Sequence, residues 1–259
     1  MAIFRGTIRS KTLMMDTTVN VILPYEQHYM QSKAPRNRTV LLLHGLKQNA
    51  DAWTRMSRIE QFAHHTGFNV VIPEVQRSFY CDMPYGLSYF EYVSKELPQT
   101  VLELFNVPTD GDHLYAAGLS MGGYGAMKCA LTYPDRFAGA MSYSGALRCL
   151  EDISRYGDLF PQSEFQAVLG MDARCAPENN LMRLAERAAS APRKPRLYAA
   201  CGTEDFLVHE NREFCDHVRR LGFDMTYEEW PGDHSWPFWD RACGRSLAMM
   251  AGLEPDDAF

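Results

Sequence analysis

Ser120 stands at the centre of Gly118-Leu119-Ser120-Met121-Gly122, with Gly123 and Gly125 close behind. A serine hydroxyl attacks a carbonyl at neutral pH only when a base takes its proton, and the base needs an acid to fix its tautomer. Three histidines follow Ser120: His209, His217 and His234. The first two fall at the start of and inside an amphipathic stretch, "ENREFCDHVRRLGF", and read as helix-face residues. His234, in "EEWPGDHSWPFW", follows the last strand-like run and is the expected base. The acid is expected after the preceding strand, where "YAACGTEDFLV" offers Glu204 and Asp205. Asp205 is the first choice and Glu204 the alternative. Asp233 is too close in the chain to reach around the ring and reads as a turn residue in "PGDH". Serine, then acid, then histidine is the chain order of one architecture that carries such a triad, and the chemistry a triad performs is acyl transfer, as from an ester.

A tetrahedral oxyanion needs two hydrogen-bond donors. The backbone amide of Met121, at the start of the helix after Ser120, is one. "TVLLLHGLKQNADAW" ends a strand at His44-Gly45, which turns the chain and makes the Leu46 amide the other. His44 is expected to orient that loop rather than to move protons. Trp53, Tyr85, Trp236 and Phe238 are candidates to line a substrate pocket, and each reads equally well as core. No metal or organic cofactor is required.

These residues need a scaffold that brings several strand ends together. Apolar runs rich in β-branched and aromatic residues fall at 17–24, 39–45, 68–73, 113–118, 137–145, 196–202 and 225–232, and each reads as a strand. Arg5, Arg9 and Lys11, set between apolar residues, give the N-terminus the same alternating look. Helix-period segments lie between most strands: "SRIEQFAHHTG", "YFEYVSKELPQTVLELF", "MGGYGAMKCALTYPDRF" and "ENREFCDHVRRLGF". Strand and helix in alternation predict an α/β fold, a mostly parallel central sheet with helices on both faces and ligands at the carboxyl ends of the strands. Around Ser120 the chain runs strand, sharp turn, helix. Gly118 and Gly122 give clearance at that turn, and Gly123 and Gly125 are expected to let the helix settle on the sheet. The segment at about 148–192 breaks the rhythm with "RYGDLFPQSEFQAVLG" and "NNLMRLAERAAS", a small helical insertion that is either a cap over the pocket or a decorated crossover.

With 259 residues and no low-complexity linker, a single domain spanning 1–259 is expected. The net charge of −6 is spread along the chain without a basic stripe, which argues against nucleic acid as a partner. Seven cysteines without paired metal-ligand spacing fit reduced thiols and a cytoplasmic location better than a disulfide framework. No run of apolar residues is long enough to span a membrane. The partner these observations leave is a small-molecule ester. They do not bear on oligomeric state.

The motifs "LLLHGLKQNADAW", "GLSMGGYGAMKCAL", "CGTEDFL" and "GDHSWPFW" together resemble the esterase D group of α/β-hydrolases over most of the chain. "SFYCDMPYGLSYFEYVSKELPQ" is similar to the small tributyrin-type carboxylesterases of that group. The resemblance implies the α/β-hydrolase fold, Ser120, Asp205 and His234 as a triad, Leu46 and Met121 as oxyanion donors, and a preference for short acyl groups. Phe79 replaces a tryptophan expected by that resemblance, so the acyl pocket is not carried over. The expected function is a serine carboxylesterase working through an acyl-enzyme. An S-formylglutathione hydrolase or a sugar-ester deacetylase would use the same residues, and a non-catalytic binding protein would be expected to lack one of them.

Overall fold

The computed structural model describes residues 1–25, 36–151 and 161–255. Its centre is an eight-stranded sheet: β1 (Ala2–Ser10), β2 (Met15–Leu23), β3 (Arg38–Leu43), β4 (Phe68–Pro73), β5 (Leu114–Leu119), β6 (Gly139–Tyr143), β7 (Arg196–Gly202) and β8 (Met225–Trp230). Their spatial order is β1-β2-β4-β3-β5-β6-β7-β8. The first two strands run antiparallel to their neighbours, and all pairings from β4 to β8 are parallel. All seven runs read as strands are strands. The eighth is the N-terminal segment, which forms a hairpin with β2; its mostly exposed edge carries Arg5 and Arg9 outward.

The helices are α1 (Ala52–Met56), α2 (Ile59–Thr66), α3 (Tyr89–Glu91), α4 (Leu97–Phe105), α5 (Met121–Thr132), α6 (Gln162–Leu169), α7 (Leu181–Ala188), α8 (Val208–Arg220) and α9 (Trp236–Met250). They cover both faces because the central strands are apolar on both. On β3, Leu41 and Leu43 point into one core with α4, α5, α7 and α8, while Val40 and Leu42 point into the other with α1, α2 and α9. This is the mostly parallel α/β architecture that the alternation of strand and helix predicts, and it agrees with the α/β-hydrolase fold that the resemblance implies.

Two details depart from the sequence reading. The helix expected over 89–105 is interrupted by a π turn, Tyr92–Glu96. Pro98, two residues beyond it, has no N–H for the Ser94 carbonyl four residues earlier, and that missing bond accounts for the widened turn. The C-terminal helix α9 was not among the expected helices, although Ser235 and Pro237 mark its start. The insertion at about 148–192 contributes α6, a short 3₁₀ turn at Pro177–Asn179, and α7; residues 152–160 of it, including "RYGDLF", lie outside the described residues. Among the described residues, α7 packs on α5 and α8, and Phe165 of α6 packs on Phe79. The insertion thus braces the helix layer.

Candidate active site

Ser120 sits between β5 and α5 with φ 53° and ψ −117°, a backbone conformation that costs an L-residue of order 1–3 kcal/mol. Its surroundings hold it there. The Ser120 amide donates to the Tyr143 carbonyl (2.9 Å), and the Ser120 carbonyl accepts from the amides of Ala146 (3.1 Å) and Tyr124 (3.2 Å). The turn is so tight that a Cβ on Gly118 would lie 2.6 Å from the Gly122 backbone, and one on Gly122 would lie 2.7 Å from the Leu43 carbonyl carbon. Gly123 likewise faces Ser142 of the sheet. Gly125 does not: its missing side chain makes room for the Tyr80 ring, 2.5 Å from where a Cβ would stand, so it accommodates the 74–88 loop rather than the sheet.

His234 follows β8, and its Nε2 is 3.1 Å from Ser120 Oγ. Its Nδ1 is 2.9 Å from Asp205 Oδ2. An ionised carboxylate only accepts, so the ring proton is on Nδ1 and Nε2 is left to accept from the serine hydroxyl. The Asp205 side chain is fully buried, and its other oxygen accepts the Leu207 amide at 2.9 Å. Burial alone would push its pKa up. The hydrogen bond and charge of His234, the Leu207 amide and the neighbouring Ser144 hydroxyl outweigh that and hold it below the usual aspartate value. The two loops meet because Gly202 has no side chain: a Cβ there would lie 2.5 Å from the Gly232 carbonyl carbon. Glu204, the alternative acid, is exposed and turned away, binding the Gly232 amide and the Thr203 hydroxyl. His209 is exposed on α8 and His217 half-buried on the same helix.

The 44–48 turn is tied down from several sides. His44, fully buried, places Nδ1 2.9 Å from the Gly45 carbonyl and Nε2 3.3 Å from the Val75 amide. The carbonyl can only accept, so Nδ1 donates and Nε2 accepts from Val75. Fixing the Gly45 carbonyl also fixes the Leu46 N–H, because the two belong to one planar peptide and point in opposite directions. Gln48 closes the turn, its side chain accepting the Gly45 amide at 3.0 Å.

A cavity of about 250 Å³ lies over Ser120 and His234, walled by the Gly45–Gln48 turn, Leu119, Phe206 and Trp239. None of the described residues of the 148–192 insertion reaches it. The four aromatic candidates are not among its walls. Trp53 is fully buried, its Nε1 donating to the Leu43 carbonyl at 3.1 Å and its ring edge-on to Tyr143. Tyr85 is 75% exposed on the surface. Phe238 is buried against Trp230, and Trp236 lines a neighbouring recess. The aromatic walls are instead Phe206, directly after Asp205, and Trp239, three residues after Trp236 on α9. Both rings pack against His234, at 4.8 and 4.9 Å between centroids. Adjacency to Asp205 and helical spacing from Trp236 are the signals that would have pointed to them.

Residues 10–248 match the family described as "Putative esterase". An acetyl esterase of Caldicellulosiruptor saccharolyticus is 30% identical over 97% of this chain and 98% of its own length. Among solved structures, the fluorophosphonate-binding serine hydrolase FphF of Staphylococcus aureus superposes with a TM-score of 0.86 at 31% identity, covering 96% of this chain and 98% of that one. The S-formylglutathione hydrolase FrmB of Staphylococcus aureus gives 0.83 at 32% identity, with the same coverage. With the family match spanning nearly all of the sheet and relatives aligned almost end to end, this chain belongs to the esterase family and is an ester hydrolase of the α/β-hydrolase fold.

Proposed function

We propose that this protein is a serine carboxylesterase for short-chain acyl esters, acting through Ser120, His234 and Asp205. The observation that carries the reading is the hydrogen-bonded relay at 3.1 and 2.9 Å, beginning at a serine held at positive φ and opening into a small cavity. In the first step the Ser120 proton passes to His234 Nε2 as Oγ bonds to the ester carbonyl carbon. The Leu46 and Met121 amides hold the oxyanion, and Asp205 stabilises the imidazolium. On collapse the C–O bond to the leaving group breaks, and that oxygen takes the proton from Nε2. A water molecule then gives its proton to Nε2, attacks the acyl-serine and frees the acid, and the proton returns to Oγ. A cavity of about 250 Å³ is small for a ligand site and favours acyl groups of few carbons.

The similarity to an S-formylglutathione hydrolase supports a second reading, thioester hydrolysis by the same residues. The similarity to an acetyl esterase supports hydrolysis of acetyl esters, of which a sugar acetate, the substrate of the deacetylase alternative, is one kind. A single domain and a cytoplasmic location complete the proposal; no helix among the described residues is long and apolar enough to cross a membrane. The test is a panel of p-nitrophenyl esters from acetate to long acyl chains, with S-formylglutathione beside them, on wild type and Ser120→Ala. Serine-dependent turnover that falls with acyl length supports the short-chain esterase. Dominant S-formylglutathione turnover would replace it with the thioesterase, and turnover unchanged in Ser120→Ala would sink both.

A further inference from the structure

Beside the cavity over Ser120 lies a second recess of about 350 Å³, and the two share Lys47 and Gln48 as a common wall. An aromatic path links them. Trp239 walls the first cavity, touches Trp236 edge-on at 5.4 Å, and Trp236 lines the recess. Arg55 lines the recess as well as Lys47. Among the described residues, neither cation has an ion-pair or hydrogen-bond partner for its side chain, and no acidic side chain lines either cavity. The chain carries 32 acidic against 26 basic residues, so two cations with no acidic neighbour on the wall depart from its average charge. The nearby Arg58, by contrast, is paired with Asp240 at 2.8 Å.

Both cations rise from anchored backbone. Lys47 sits within the turn closed by Gln48, and Arg55 is on α1, which is pinned by the buried Trp53 and by the Ser57 hydroxyl on the Trp53 carbonyl at 2.6 Å. Both side chains are exposed, and ordering each around an anion costs rotamer entropy, with the fixed backbone beneath them sparing any further ordering.

We propose that the recess between Lys47 and Arg55 binds an anionic group, such as a carboxylate, at the non-reacting end of the substrate, with the intervening chain lying along Trp236. The natural substrate class is then an ester or thioester bearing a remote negative charge. This rests on the esterase reading of Ser120.

The test uses matched acetates that differ only far from the scissile bond: 4-acetoxybutanoate and 6-acetoxyhexanoate against their uncharged carboxamides. Binding is measured by calorimetry on Ser120→Ala at low salt, where screening is weak, and turnover is measured on wild type. The carboxylates should bind about tenfold more tightly than the amides in at least one chain length. Arg55→Glu in the Ser120→Ala background should abolish that preference, Arg55→Lys should retain it, and Lys47→Met should reduce it. High salt should erode it. Equal binding of carboxylate and amide at both lengths, or a preference that survives Arg55→Glu combined with Lys47→Met, overturns the proposal. The binding arm decides this even if wild type hydrolyses neither compound, an outcome that would count against the esterase reading instead.

Discussion

Replacing Asp205 by asparagine changes one heavy atom of the buried relay, an oxygen to an NH2 group, and leaves its shape. One carboxylate oxygen of Asp205 is committed to the Leu207 amide and the other to His234 Nδ1, both at 2.9 Å. Asparagine has a single oxygen, and the Leu207 N–H can only donate, so that oxygen must stay on Leu207. The amide nitrogen then faces His234 and donates to Nδ1. The ring proton is forced to Nε2, the atom 3.1 Å from Ser120 Oγ, which can no longer accept the serine proton. A relay locked in the wrong tautomer costs about 10⁴-fold in kcat, or roughly 5 kcal/mol of transition-state stabilisation. KM should change little, because the replaced atom lies behind the imidazole and not on the cavity wall. The assay is steady-state hydrolysis of p-nitrophenyl acetate, with thermal unfolding as a control on folding. Glu204→Gln, altering a carboxylate bound to the Gly232 turn, should stay within about tenfold of wild type. Asp205→Asn retaining most of its activity while Glu204→Gln loses it would refute the assignment.

Gly122→Ala puts a methyl group against the Leu43 and His44 backbones, so overpacking should lower stability by about 1–3 kcal/mol. The displaced turn should reduce kcat more than tenfold, read from thermal melts and p-nitrophenyl acetate turnover. His44→Ala releases the Gly45 carbonyl and the Val75 amide; misaiming the Leu46 N–H should lower kcat by about 10–100-fold with little change in KM. A KM-only effect would mean that His44 shapes binding instead. The Arg245 hydrogen bonds hold the Glu228 pKa below its ordinary value, burial opposing them and the Tyr198 hydroxyl adding to them. A depressed folded-state pKa gives stability that is complete above the unfolded value near 4 and is lost as pH falls through the folded value. Glu228→Gln should therefore lower Tm by about 2–4 °C at pH 7, for roughly 1 kcal/mol, and the gap should close on acidification below pH 4. A gap independent of pH would remove the electrostatic explanation.

The relay was legible in the sequence because each member is announced by chain-local chemistry. Glycines two residues either side of Ser120, an acidic pair after β7 and a histidine after β8 are all local features. The choice between Glu204 and Asp205 was not settled by such features, since adjacent residues on a turn point in different directions and only the buried one meets His234. The cavity walls were harder still. Trp53 and Trp239 are both tryptophans near site motifs, yet Trp53 fills the core beneath the Gly45 turn while Trp239 stands against His234. Which one faces the cavity depends on the rotation of α9 on the sheet, and the strong strand pattern before it left that helix unread. The insertion was left open between a cap and a decorated crossover for a related reason. Its amphipathic helices advertise an apolar face but not which surface receives it, and α7 spends that face on α5 and α8.

The central claim is that Ser120 is the nucleophile, and intact-mass spectrometry after treatment with a fluorophosphonate tests it most directly. Wild type should gain one adduct, mapping to the peptide that contains Ser120, in step with loss of ester turnover; Ser120→Ala should gain none. An adduct on another residue that abolishes turnover, or full inhibition of Ser120→Ala activity by the same reagent, would contradict the account.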